Sequence, residues 1–127
     1  MLLVDGANVV GSRPDGWWRD RPGAAARLHD QLVALGEPSV LVLEGAARGG
    51  VPEGLSGAVR VVHAAGSGDD LLAELAGPGT VLVSADRELR TRCEQRGAAC
   101  TGPRELLDRL PVSRPAGPPP PRRPGPP

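Results

Sequence analysis

Five carboxylates stand at or just beyond the ends of short apolar runs. Asp5 follows Leu2–Val4 in VDGAN, and Glu44 follows Val40–Leu43 in VLVLEG. Asp69 and Asp70 come after Val59–Val62 in GSGDDLL, and Asp86 follows Val81–Val83 in VLVSADREL. Runs that are apolar throughout, rather than alternating, suit strands buried on both faces of a parallel sheet. Acids placed after such strands gather at the carboxyl edge of the sheet, where open α/β folds bind ligands. Crowded carboxylates repel one another unless a cation stands among them. A hard cation that prefers oxygen ligands, Mg²⁺ or Mn²⁺, is the expected cofactor. It would polarise a phosphoryl oxygen and lower the pKa of a bound water, which is the chemistry of phosphodiester hydrolysis.

Taken one at a time, each acid is equally well explained as a cap on a turn or helix start. Four strand ends in succession make coincidence a poorer account. Asn8 lies three residues after Asp5 and either shapes a turn or orients a water or phosphate. No Ser-His-Asp or Cys-His arrangement competes, and there is no Walker loop or Gly-x-Gly-x-x-Gly after a strand. His63 reads as a partly buried strand-end residue, His29 as a surface residue of a helix, Cys93 as core and Cys100 as part of an edge strand. Two Cys and two His at these positions make no zinc pattern, and free thiols are expected.

A second group of residues suits nucleic acid. Arg13, Trp17, Trp18 and Arg19 lie in one loop, and the two tryptophans are the only aromatics of the chain. Bases stack on aromatic rings and arginine binds phosphate. The structural alternative docks the loop on the core, and one tryptophan is expected in each role. Arg87 and Arg90, beside Asp86, either reach a phosphate or balance the acids.

Helices must position these groups between the strands. Ala24–Leu35 places Ala25, Leu28, Leu32 and Leu35 on one stripe, and Gly36 ends it. Ser67–Leu75 is the next, with Ser67 or Asp69 as its N-cap. Ala85–Arg96 carries acids in its first turn and arginines in its last, matching the helix dipole. A short strand at Ala98–Thr101 and a helix at Pro103–Leu110 follow. The link from Leu43 to Val59 reads as a Gly-rich loop. Strand and helix alternate, so the expected fold is α/β with a mainly parallel sheet of four to five strands.

Composition sets the limits of the domain. Residues 1–110 form it, and residues 111–127 form a Pro/Arg-rich tail with nine prolines in seventeen residues, expected to be disordered. All fifteen basic residues are Arg, and they equal the acids in number. The tail holds three of the arginines and no acid, so the domain is net acidic and carries no broad basic footprint. No apolar run is long enough to span a membrane, and the opening MLLVDGANVV lacks the regions of a signal peptide, so a cytoplasmic location is expected.

VDGANVVG, the acid after the second apolar run, GSGDD and SADRELR together resemble the NYN domain, a branch of the PIN-like ribonuclease superfamily. The resemblance covers about residues 1–110, and D-G-x-N is its most specific piece. It implies a three-layer α/β/α sandwich, an Asp cluster that binds Mg²⁺ or Mn²⁺, and hydrolysis of RNA. By that resemblance Asp5, Asp69 and Asp86 are metal-binding carboxylates, Asn8 a polar helper and Ser84 a small hydroxyl. Asp70 adjoins a matching position and is an alternative to Asp69. Glu44 stands where the family often has Asp, and the tryptophan loop is outside the family pattern. PIN-like relatives are often dimers, which adds a homodimer to RNA as an expected partner. The leading reading is a metal-dependent ribonuclease, an endonuclease. The alternatives are a catalytically weak PIN-like RNA-binding module and a nucleotide phosphohydrolase.

Overall fold

The computed structural model describes residues 1–111. The tail expected from residue 111 onward lies outside the described residues apart from Pro111. The elements run β1 (Leu2–Asp5), α1 (Gly6–Gly11), a 3₁₀ turn (Trp17–Arg19), α2 (Arg21–Leu35), β2 (Ser39–Leu43) and a second 3₁₀ segment (Gly45–Gly50). They continue with β3 (Gly54–Ser56), β4 (Val59–His63), α3 (Asp69–Leu75), β5 (Val81–Val83), α4 (Arg87–Glu94), β6 (Ala99–Thr101) and α5 (Pro103–Arg109).

The six strands form one sheet in the order β3-β4-β2-β1-β5-β6. All neighbours are parallel except β3, which pairs antiparallel with β4. The chain builds outward from β1 through β2 to β4, then crosses back to lay β5 on the other side of β1. The switch in strand order therefore falls at β1 and β5. Loops leaving adjacent strands in opposite directions open a crevice there, at the carboxyl ends.

Both faces of the sheet are covered, which explains the apolar continuity of its strands. Leu2, Val4, Leu41, Leu43 and Val59 face one core together with Val9, Ala25, Leu28, Leu32 and Leu106 from α1, α2 and α5. Leu3, Val40, Val42 and Leu82 alternate with them and face a second core with Leu72 and Ala73 from α3 and Leu89 and Cys93 from α4. The expected three-layer α/β/α arrangement is what the chain adopts. No helix among the described residues is long and apolar enough to cross a membrane.

Four local expectations are corrected. Gly6–Asn8 is the first turn of a helix rather than a loop turn, because Asp5 accepts the Asn8 N–H and caps it. Gly6 is required there: a Cβ would stand 2.6 Å from the Val42 carbonyl oxygen, so α1 packs directly on the backbone of β2. The second helix starts at Arg21, three residues ahead of the expected Ala24, because Asp20 caps it through the Gly23 N–H at 2.9 Å and Pro22 fits its first turn. The Gly-rich link after β2 holds the 3₁₀ segment and the sixth strand, β3, which is exposed on every residue and so carries no core pattern. Finally, α3 has no side-chain cap: its N-cap is Gly68, and Ser67 Oγ accepts only the Asp69 N–H, at 3.2 Å.

Candidate active site

Asp5 is the last residue of β1 and only 6% exposed. Its carboxylate accepts the Ser84 hydroxyl at 2.9 Å through Oδ2 and the Asn8 N–H at 3.3 Å through Oδ1. Ser84 follows β5 directly and is fully buried. Its Oγ also accepts the Asp86 N–H at 3.1 Å, so one hydroxyl ties the ends of β1 and β5 to the start of α4. Asn8 closes the same junction from α1, since its Oδ1 accepts the Ala85 N–H at 2.8 Å. In this structure Asn8 holds the β5–α4 turn in place.

The other acids arrive on their own elements. Asp86 is the N-cap of α4 and accepts the Leu89 N–H through Oδ1 at 3.0 Å, leaving Oδ2 free of hydrogen bonds among the described residues. Glu44 follows β2, and its Oε1 accepts the Gly68 N–H at 2.8 Å, anchoring the loop that leads into α3. Asp69 stands in the first turn of α3. Asp70 is turned away: its side chain is 86% exposed and pairs with Arg92 of α4 at 3.0 Å. Successive helical residues point about 100° apart, which lets Asp70 turn to Arg92 while Asp69 faces Asp86 and Glu44. The structure brings Asp5, Glu44, Asp69 and Asp86 together and leaves Asp70 outside.

Electrostatics mark Asp5 and Asp69. Burial raises the Asp5 carboxyl above its ordinary value; the Ser84 and Asn8 hydrogen bonds oppose this, while Asp69 and Glu44 add to it. Burial is also the main cause of the raised Asp69 carboxyl, followed by Asp86 and Glu44, with Arg92 opposing and Asp70 adding slightly. Among the described residues, the ion pairs are Arg27–Asp15, His29–Asp30, Arg92–Asp70 and Arg109–Glu37, and none reaches these four acids. Such a set of oxygen donors, mutually repelling and unpaired with protein cations, fits a hard divalent ion in its chemistry. The side chains are not closed around a point: among the described residues no three Asp, Glu, His or Cys groups stand in metal-enclosing geometry.

The expected nucleic-acid residues separate into classes. Trp17 is partly buried and packs on the core, whereas Trp18 is 56% exposed. Arg19 lies over the Trp18 ring at 5.7 Å. The Arg13 guanidinium, partly desolvated, donates to Gln31 Oε1, and Gln31 Nε2 donates to the Pro111 carbonyl. Arg87 is exposed and Arg90 partly so, and neither pairs with an acid of the rim among the described residues.

Three contributors were hidden from the sequence. Ser84 was noted only by resemblance, because a serine after a strand carries no signal of its partner. Arg104 shares an open surface depression with Asn8 and Ala85. Arg21 stands with its guanidinium 5.3 Å from the Trp17 ring centre. Of the histidines, His63 is partly buried as expected, with Nε2 2.7 Å from the Val51 carbonyl. His29 is not at the surface: its side chain is only 12% exposed and its buried Nε2 has no partner. Cys93 is buried and Cys100 lies in the edge strand β6, both as free thiols.

No protein-family model matches the chain, and no curated protein sequence matches it. Among solved structures, the crystal structure of Rae1 (YacP) from Bacillus subtilis is similar, with a TM-score of 0.58 and 19% identity. The match covers 84% of this chain and 71% of that one. The likeness is one of fold.

Proposed function

We propose that this chain is a metal-dependent ribonuclease, an endonuclease of the PIN-like type, that hydrolyses RNA phosphodiester bonds at the acidic rim. One observation carries the reading: at the switch point of a parallel sheet the buried Asp5 feels the charges of Asp69 and Glu44, Asp69 feels that of Asp86, and among the described residues none of the four forms an ion pair. The sequence resemblance to NYN domains and the fold shared with Rae1 agree with it.

Asp5, Asp69 and Asp86, with Glu44 as a longer arm, would hold Mg²⁺ or Mn²⁺. When bound, the ion would supply Lewis-acid activation of a phosphoryl oxygen and a water of lowered pKa. The chain's own residues set the stage for it. Ser84 fixes the Asp5 carboxylate and the Asp86 backbone in one register, and Asn8 holds the peptide between them. Glu44 fixes the loop that carries Asp69. Arg87 and Arg90 of α4 and Arg104, which shares a depression with Asn8, would meet flanking phosphates.

The test is cleavage of a mixed RNA pool with Mn²⁺ by the wild type and by Asp5→Asn. Cleavage by the wild type alone is expected; equal cleavage by the mutant removes the site. Retardation of RNA without cleavage would replace the reading with an RNA-binding module. Release of phosphate or pyrophosphate from free nucleotides, with RNA left intact, would replace it with a nucleotide phosphohydrolase.

A further inference from the structure

Next to the rim, between α1, the first 3₁₀ turn and the segment after β2, lies a cavity of about 190 Å³. Gly6, Val10, Trp17 and Ala47 give it apolar walls, and Arg21 and Glu44 are its charged members. We propose that this cavity is a subsite for one unpaired nucleobase, stacked on Trp17, of the RNA strand whose phosphate lies at the acidic rim; this deepens the ribonuclease reading and rests on it for the identity of the strand.

Position is the first argument. Glu44 belongs both to the cavity and to the acids that act on Asp5, and Gly6 is the residue after Asp5. A group seated in the cavity is therefore a neighbour of whatever occupies the rim. Size is the second. The volume lies below the roughly 300–1,000 Å³ of pockets that hold drug-sized ligands, so it suits one ring system and not a whole nucleotide.

Chemistry selects the ring system. Trp17 is held in place by the core beneath it and by Trp18, whose ring meets it edge-on at 5.9 Å and 88°. A pre-positioned indole in the cavity wall meets an incoming ring with little further loss of side-chain freedom. Arg21, with its guanidinium over the same ring, supplies a cation that favours an RNA strand in an otherwise acidic neighbourhood.

The experiment uses the ¹⁵N-labelled full chain in EDTA, where no cleavage takes place. With only two tryptophans, the indole N–H region holds two peaks, assigned through Trp18→Leu. Each of the four ribonucleosides is titrated, with ribose as the control. Because nucleosides are uncharged, the readout does not depend on a metal or on catalysis. The Trp17 peak is expected to shift saturably with at least one nucleoside and not with ribose. Ala47→Leu, which fills the cavity, should weaken this binding at least about tenfold. A Trp17 peak that moves with no nucleoside, or a shift that survives Ala47→Leu, overturns the subsite. A nucleoside-induced shift together with failure of RNA cleavage would leave the subsite standing and remove the ribonuclease reading instead.

Discussion

Ser84 Oγ donates to Asp5 Oδ2 at 2.9 Å across 79 residues of chain, and the pair is buried. The hydroxyl also accepts the Asp86 N–H. Ser84→Ala removes both interactions and leaves the backbone N–H of Asp86 and one Asp5 oxygen without partners. A hydrogen bond to a charged group contributes about 1.5–3 kcal/mol, so a loss of that order is expected in chemical denaturation. RNA cleavage should fall by more than the fraction unfolded explains, because the acids lose their shared register. Full cleavage at unchanged stability would show that the hydroxyl positions nothing.

Asp5→Asn is expected to raise stability in the absence of divalent ions. Folding raises the Asp5 pKa above its ordinary value of 3.8, chiefly by burial, so the folded state favours the protonated, neutral form. That contribution is fully present below the ordinary value and is lost as pH rises through the folded-state value. At neutral pH the ionised carboxylate therefore destabilises the fold, and the uncharged amide relieves it. Thermal melts in EDTA should show the mutant above the wild type at pH 7, with the gap closing as pH falls toward 3.8. A mutant melting below the wild type at pH 7 would contradict the sign.

Divalent cations should reverse that order. An ion that binds only the folded state stabilises it by about 2.7 kcal/mol at a hundred times its Kd. Mn²⁺ is expected to raise the Tm of the wild type and of Asp70→Asn, whose carboxylate is spent on Arg92. The shift should be much reduced in Asp69→Asn and Asp86→Asn. An Mn²⁺ response lost in Asp70→Asn and kept in Asp69→Asn would exchange the roles of the two neighbours.

Gly6→Ala should damage both stability and the site. Its Cβ would meet the Val42 carbonyl oxygen at 2.6 Å and the Leu43 side chain at 2.9 Å, and a backbone atom cannot step aside as a flexible side chain can. Overpacking of this kind costs about 1–3 kcal/mol. Displacing α1 also moves Asn8 off the Ala85 N–H, so cleavage should fall along with Tm. A variant with wild-type Tm and activity would mean that α1 has room to slide.

The sequence by itself determined the kind and order of the elements and the end of the sheet at which the acids lie. Unbroken apolar runs recorded burial on two faces, helical stripes recorded burial on one, and an acid just past a strand end has only one edge of a parallel sheet to occupy. Elements with no local pattern escaped it. β3 is exposed on all its residues, and α1 is one short helix held by an Asp5 cap and packing on β2.

Tertiary structure decided the rest. Lateral strand order depends on non-local packing, and only the placement of β5 beside β1 carries Ser84 to Asp5. The choice between Asp69 and Asp70 follows from the rotation of α3 on the sheet, which buries Leu72 and Ala73 and turns Asp70 toward Arg92. Which of Trp17 and Trp18 packs on the core is of the same kind: α1 and α2 set it from outside the loop, and no spacing within the loop records it.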